Sequence, residues 1–270
     1  MKRLLKIWVG AFALAGAAMS TQAAIVTQWT ATDSAVWLSA SAGVTLTPST
    51  LSWGTDIGNG QSSLTITNAS ANQTVNTYIG GGLPPPAYTV PGSSITHHNV
   101  PITNSPMTGA TLRDSLTLTA IAPPPAGSPF TLPTIDFDIA FLETPNAAPC
   151  AATSPTGNPC NDIFVLLGGF FNQSFAYDSQ TYYVNIFPTS GGVLSVLSDS
   201  ACAAVNAVNS AAPASGCFGF TTPEGGDTTL AFGFTISTEP LSIPEPGTLA
   251  LVGLAIAGVG LTRLRGRAHV

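Results

Sequence analysis

Basic residues are scarce in this chain, and their scarcity excludes one class of partner. Seven lysines and arginines occur among 270 residues; six lie within the first six or the last eight positions, which leaves Arg113 alone between them. Twelve of the thirteen acidic residues lie between residues 24 and 242, and the other is Glu245. A surface with this charge balance repels nucleic acid and anionic membrane surfaces. The sequence therefore predicts no nucleic-acid role.

The motifs of common catalytic and metal sites are also absent. The chain has no Gly-x-Ser-x-Gly turn, no His-Glu-x-x-His pair and no Cys-x-x-Cys, and it has only three histidines. The first two motifs mark hydrolases and metalloproteases, and the third is frequent in zinc sites. We therefore predict a non-enzymatic protein with no catalytic residue, no cofactor and no zinc ion.

Long apolar runs occur only at the two ends of the chain. At the N-terminus, Lys2, Arg3 and Lys6 precede the apolar run 7–18, and Thr21-Gln22-Ala23 follows it as a small-residue cleavage site. This order is typical of a secretory signal peptide. We predict that residues 1–23 are a signal peptide and that signal peptidase cuts after Ala23.

The C-terminal run has a different arrangement. Pro244, Glu245 and Pro246 precede an uncharged stretch, 247–261, and Arg263, Arg265 and Arg267 follow it. As a helix, that stretch would reach roughly 22 Å, which is short of the roughly 30 Å hydrocarbon core. Arginines prefer the cytoplasmic side, so the body of the chain would lie across the membrane. We predict a marginal transmembrane helix within a sorting segment, residues 243–270.

This C-terminal order resembles the PEP-CTERM signal of Gram-negative bacteria. The resemblance implies that the membrane protease exosortase recognises Pro244, Glu245 and Pro246, removes the helix, and releases or attaches the mature protein. It also implies a transient inner-membrane stage, followed by secretion or display at the cell surface. A eukaryotic GPI signal is the nearest imitator, but its apolar tail normally runs to the terminus. A C-terminal anchor that is never cut remains the open alternative.

The body of the chain, residues 24–242, reads as strands and turns. Apolar and polar residues alternate in 135–142 and 229–237, which is the period of a half-buried strand. Residues 162–167 form an apolar run after Asp162, which suits a strand buried on both faces. Gly- and Pro-rich turns separate the segments, and 198–209 is the one short helix predicted there, capped by Asp199 or Ser200. We predict an all-β fold, a single Greek-key or jelly-roll-like β-sandwich. Weaker strand candidates are 44–46, 63–67, 115–121, 182–187 and 193–197.

Four cysteines indicate disulfide bonds, because such bonds persist in secreted proteins. Three pairings are possible from the sequence. Local closure, Cys150 with Cys160 and Cys202 with Cys217, needs no assumption about the fold, and we favour it.

The segment Thr96-His97-His98-Asn99 holds two of the three histidines. Neighbouring side chains on a strand point to opposite faces, so His97 and His98 cannot both bind one metal ion without a turn. We expect one imidazole, Thr96 and Asn99 to bind the backbone at a strand end. The segment resembles the Thr-His-x-Asn signature of the THxN group of PEP-CTERM proteins. That resemblance implies an architecture, but it implies no established activity.

We predict a structural or carbohydrate-contacting role in the exopolysaccharide matrix of a biofilm, and two functional alternatives remain open. Asp136 and Asp138 share a strand face near Glu143 and Asp162 in sequence and could bind Ca²⁺ in an adhesin domain. Glycosidases use a pair of carboxylates, and twelve acidic residues could supply one, so an enzyme acting on matrix polysaccharide is a further alternative. For the matrix role, aromatic residues between 170 and 183 could stack against the sugar rings of exopolysaccharide, or the same residues could instead face the core of the sandwich. These aromatic residues are Phe170, Phe171, Phe175, Tyr177, Tyr182 and Tyr183.

Overall fold

The computed structural model describes residues 24–80, 82–124, 127–151, 160–168, 171–189 and 195–242. The predicted signal peptide, 1–23, and the predicted sorting segment, 243–270, lie outside these residues. Within the part of the chain that is described, no helix is both long enough and apolar enough to cross a membrane.

Strands dominate the described residues. They make up 54% of them, against 6% in helices, which confirms the predicted all-β class. One α-helix, α1 (Asp199–Val208), and one 3₁₀ turn, Pro86–Tyr88, are present in the described part. The strands are β1 (Gln28–Ala40), β2 (Thr45–Leu46), β3 (Thr50–Trp53), β4 (Thr55–Asp56), β5 (Ser62–Thr67), β6 (Gln73–Tyr78), β7 (Val90–Asn99), β8 (Ile102–Thr103), β9 (Gly109–Ala122), β10 (Phe130–Thr131), β11 (Ile135–Leu142), β12 (Asn161–Leu166), β13 (Gln173–Tyr177), β14 (Gln180–Pro188), β15 (Ser195–Val196), β16 (Phe218–Pro223) and β17 (Gly226–Ser237).

Fifteen of these strands form one continuous sheet. Its main path runs β15-β16-β12-β11-β9-β1-β6-β17-β7-β5-β3-β2, while β10 pairs with β9, and β14 pairs with β13 and β17. β6 connects the two halves, because it pairs antiparallel with β1 and parallel with β17. The sequence predicts a sandwich of separate sheets; the structure differs from this at β6, which belongs to both halves.

The two halves pack face to face around an aromatic core. Trp53 on β3 lies 5.3 Å from Phe141 on β11, and Trp29 on β1 lies 5.2 Å from Tyr182 on β14, measured between ring centroids. All four side chains are fully buried. Inward-facing positions alternate with outward ones along β1 and β5, as expected for strands with one face on a core.

β12 is buried along its whole length, as its apolar run predicts. One of its faces contributes Phe164 to the aromatic core. The other face packs Ile163 and Val165 against Cys202 and Val205 of α1. The helix therefore covers the outer face of a central strand. Its N-cap is Ser198, whose hydroxyl accepts a hydrogen bond from the amide of Ala201 at 3.3 Å, and this corrects the predicted Asp199 or Ser200 cap.

Both locally closed disulfides are present. Cys150 pairs with Cys160, and Cys202 pairs with Cys217. The first closes the loop between β11 and β12. The second ties α1 to the start of β16. Cross-links of this kind stabilise chiefly by restricting the unfolded chain, each by about 2–3 kcal/mol.

Candidate functional site

The Thr96–Asn99 segment forms the end of β7, between β17 and β5. His97 and Asn99 point into the core, with 1% and 0% of their surface exposed. His98 points outward and bonds Asp227 at 2.6 Å, and the outward-facing Thr96 bonds the Thr229 hydroxyl at 2.8 Å. The prediction that the two histidines lie on opposite faces is therefore confirmed.

His97 is a packed core residue. Its ring stacks on Trp53 at 5.5 Å and meets Phe141 and Phe164 edge-on, while its Nδ1 lies 2.8 Å from the Thr222 hydroxyl. Burial, with a smaller effect from the neighbouring His98, lowers the pKa of His97 to about 3. The imidazole is therefore neutral at physiological pH, and its Nε2 has no hydrogen-bond partner among the described residues.

Asn99 holds the turn between β16 and β17. Its amide nitrogen donates to the carbonyl oxygens of Thr222, at 3.4 Å, and Pro223, at 3.2 Å. Its backbone carbonyl accepts from the amide of Gly225 at 2.9 Å. These bonds lie on both sides of Glu224 in the sequence. The expected backbone bond at the strand end is therefore present for Asn99, and it fixes the turn that carries Glu224. The expectation is wrong for Thr96 and for the imidazoles, which bond side chains instead.

Three carboxylates, Glu143, Asp162 and Glu224, come together at this turn, and we call them the carboxylate trio. One oxygen of each lies within 4.8 Å of the others. Asp162 is fully buried, and the other two are half-buried. Trp53 donates its indole N–H to Glu143 at 3.0 Å, and the amide of Thr144 donates to Asp162 Oδ1 at 2.8 Å.

Burial disfavours the charged form of every member of the trio. It raises the pKa of Asp162 to about 8, with the charges of Glu143 and Glu224 adding to the effect. It raises the pKa of Glu143 to about 7, against the opposing Trp53 hydrogen bond, and it also raises the pKa of Glu224. The trio can therefore hold protons or a cation at neutral pH.

A second pair of carboxyl groups lies in the core between the sheet halves. Asp33, 5% exposed, accepts hydrogen bonds from the amide and hydroxyl of Ser93, at 2.7 and 2.8 Å. Burial, with Asp33 beside it, raises the pKa of Asp114 to about 9. Both acids border a cavity of about 50 Å³ lined mainly by apolar side chains. Asp33 occupies an inward position of β1, where a period-two pattern leads one to expect an apolar residue.

The Asp114 carboxyl predicts a specific pH dependence of stability. Because its folded-state pKa is raised, the native state holds a proton that the unfolded state releases, and stability falls as pH rises from about 4 to about 9. We expect Asp114→Asn, which is neutral at every pH, to weaken this fall by about 1–2 kcal/mol between about pH 5 and pH 9. Denaturant unfolding at several pH values measures it. Asp138→Asn on the outer face is the matched control, and equal pH slopes for Asp114→Asn and this control would contradict the prediction.

Two groups of sequence-predicted residues have other roles in the structure. Asp136 receives two hydrogen bonds from Arg113, at 2.7 and 2.8 Å, and Asp138 accepts one from Thr111 at 2.7 Å, all on an exposed face. Neither belongs to the carboxylate trio. Glu143 and Asp162 do, and sequence reasoning missed Glu224, because only the pairing of β12 with β16 brings it near them.

The proposed aromatic surface is largely part of the core. Phe175 and Tyr182 are buried and pack on Trp29 at 5.8 and 5.2 Å, and Tyr177 stacks on Phe130 at 5.1 Å. The surface prediction is wrong for Phe175 and Tyr182, because strand alternation turns them inward. Phe171 is 36% exposed, Tyr183 is half-buried, and Phe170 lies outside the described residues.

Comparison with known proteins identifies the C-terminal segment. The family model for the PEP-CTERM protein-sorting motif matches residues 242–265. The matched span includes Pro244, Glu245, Pro246, Arg263 and Arg265, and Arg267 follows it. No curated protein matches the chain. The likeness of Thr96–Asn99 to the THxN group stays a prediction. The chain carries a PEP-CTERM protein-sorting motif, which implies a protein that exosortase sorts to the cell surface.

Proposed function

We propose that this chain is a non-enzymatic surface or secreted β-sandwich protein of a Gram-negative bacterium. Signal peptidase removes residues 1–23, the C-terminal segment holds the chain briefly in the inner membrane, and exosortase cuts near Pro244, Glu245 and Pro246. The mature protein runs from Ala24 to a C-terminus near Pro244 and contains the domain 24–242. It becomes a structural or carbohydrate-contacting component of the surface or of the exopolysaccharide matrix.

The observation that carries this proposal is the position of the sorting motif. The matched residues begin at Ser242, the last described residue, so the motif follows a complete strand, β17, and does not interrupt the sheet. Two disulfides in a chain of this size support an oxidising destination. Cleavage beyond β17 would leave every described strand in the mature protein.

The surroundings of His97 support a role without catalysis. A general base must reach the proton that it removes and needs a pKa near the working pH. His97 has a pKa of about 3, and aromatic rings enclose it in the core. His98, the other histidine of the mature protein, is on the outer face with Asp227, and all four cysteines are in disulfides. Among the described residues, neither histidine is therefore placed as a general base, and no cysteine thiol is free to act as a nucleophile.

The test of processing is Glu245→Ala in the native host. We expect the variant to be exported normally, while a form that keeps the C-terminal arginines becomes the main species in the membrane fraction. The wild-type chain should instead appear chiefly outside the membrane, ending near Pro244. Intact mass spectrometry of membrane and extracellular fractions measures both species.

Glu239→Ala is the matched control, because Glu239 is exposed and lies outside the matched motif. It should be processed like the wild type. Normal release of Glu245→Ala would remove exosortase from the proposal. A wild-type chain that still carries Arg267 in the membrane would identify a permanent anchor instead.

A further inference from the structure

The described part of the chain offers the carboxylate trio almost no basic side chain. Arg113 is the one lysine or arginine between residues 24 and 242, and it pairs with Asp136 on an exposed face. His97 is neutral and bonds Thr222. Carboxylates that are grouped and removed from water are stable only when a proton or a cation compensates them. The charge of the trio must therefore be balanced by something other than the lysine and arginine side chains of the described residues.

One buried oxygen atom of Asp162 lacks a hydrogen-bond donor among the described residues. Asp162 is fully buried, and the Thr144 amide engages its Oδ1, but its Oδ2 has no partner among the described residues. An unmatched buried acceptor is unfavourable, and a cation bound between the three carboxylates would satisfy Asp162 Oδ2.

The three carboxylates are also held in place by separate parts of the fold. Glu143 directly follows β11, Asp162 lies on β12, and Glu224 occupies the turn after β16, and these three strands are neighbours in the sheet. The Trp53 indole orients Glu143, and the Thr144 amide orients Asp162. Ligands fixed before binding lose little conformational freedom when an ion arrives.

We infer that Glu143, Asp162 and Glu224 form a binding site for a hard divalent cation, best matched by Ca²⁺. The site offers oxygen donors, and no free thiolate is available because all four cysteines are in disulfides. Opposed oxygens around Ca²⁺ are about 4.6–5.2 Å apart, which accommodates a set spread over no more than 4.8 Å. Mg²⁺ requires shorter bonds and stricter octahedral geometry, so it fits less well.

A cation at this position would tie the turn between β16 and β17 to the ends of β11 and β12. The same turn is held from the other side by Asn99. The ion would therefore join the end of the Thr-His-x-Asn strand to the neighbouring half of the sheet. Its role is structural: it stabilises the folded protein where extracellular Ca²⁺ is abundant. This differs from the sequence-predicted site in its residues, because Asp136 and Asp138 take no part.

The test is thermal unfolding of the purified full chain by calorimetry at neutral pH, with EDTA or with millimolar CaCl₂. At a Ca²⁺ concentration a hundredfold above the Kd, we expect Tm to rise by about 5–10 °C. Asp162→Asn, which keeps the shape and removes the charge, should abolish most of this shift. Asp136→Asn, on the exposed face, should retain it. Calorimetric titration with CaCl₂ should give one site per chain.

Three outcomes would contradict a Ca²⁺ site at the carboxylate trio. The same Tm in EDTA and in CaCl₂, together with no heat of Ca²⁺ binding, would show that protons balance the trio and would overturn the site. A shift that persists in Asp162→Asn and disappears in Asp136→Asn would move the ion to the exposed face. A response to Zn²⁺ with none to Ca²⁺ would contradict the hard-oxygen assignment. If Asp162→Asn does not fold, Glu143→Gln provides the same comparison.

Discussion

Trp29→Ala is expected to lower the free energy of unfolding by about 4 kcal/mol. Trp29 is fully buried, and its ring meets Phe130, Phe175, Tyr177 and Tyr182 edge-on at 5.1–6.0 Å. Truncation removes these contacts and leaves a cavity that the surrounding strands can close only in part. For a domain of this size, the loss corresponds to a fall in Tm of about 10 °C.

The loss also affects a buried hydrogen-bond chain. The Trp29 indole N–H donates to the Thr77 hydroxyl at 2.9 Å, and that hydroxyl donates to the carbonyl of Val26 at 2.6 Å. The Val26 amide donates to the Tyr182 hydroxyl at 2.8 Å. Trp29 thus joins β1, β6 and β14, and its removal should weaken the place where the two halves of the sheet meet.

Denaturant unfolding followed by circular dichroism measures the effect. Leu38→Ala is the matched control, because Leu38 is on the same strand and is 44% exposed. Its stability should stay within about 0.5 kcal/mol of the wild type. A loss below about 1 kcal/mol for Trp29→Ala would mean that the aromatic cluster is not the main core of the protein.

Gly219→Ala is expected to destabilise the protein by about 3 kcal/mol or more. A Cβ atom at Gly219 would overlap the carbonyl oxygen of Phe164 and would lie 2.9 Å from its carbonyl carbon. These are backbone atoms of the adjacent strand β12, so no side-chain rotation can relieve the overlap. β16 would have to move away from β12. Both strands lie next to the carboxylate trio, and β12 carries the face that the helix covers.

The control for this substitution is Gly226→Ala. No heavy atom lies within 4 Å of a Cβ at Gly226, and its φ is outside the left-handed region, so the change should be nearly neutral. Thermal unfolding of both variants separates the steric effect from the general effect of losing a glycine. Equal Tm values for the two variants would show that β12 and β16 can separate locally at no measurable penalty.

Several elements could be predicted from the sequence because their signals are local. β11 begins and ends where its alternating residues predict, at Ile135 and Leu142. The apolar run of β12 and the alanine-rich α1 also occur within one residue of the predicted positions. In each case the pattern lies within ten residues, which is the range over which strand and helix periods are expressed.

β1 is one of the longest strands, and the sequence did not reveal it. Its inward positions are Trp29, Ala31, Asp33, Ala35 and Trp37, and a carboxylate in the middle of this series hides the apolar period. Asp33 is tolerated there because Ser93 donates two hydrogen bonds to it from β7 and Asp114 lies beside it. Those partners come from distant parts of the chain, so a local pattern cannot indicate them.

The sequence by itself determined where this protein is sent, because export and sorting machinery read short linear segments and the sorting motif needs no folded context. It also indicated the β class and the local disulfides, which depend on short-range periodicity and spacing. Only the tertiary structure decided that Asn99 supports Glu224, and that Glu224 meets Glu143 and Asp162. Those contacts depend on strand order and register, which are set by the burial of whole sheet faces and not by neighbours in the chain.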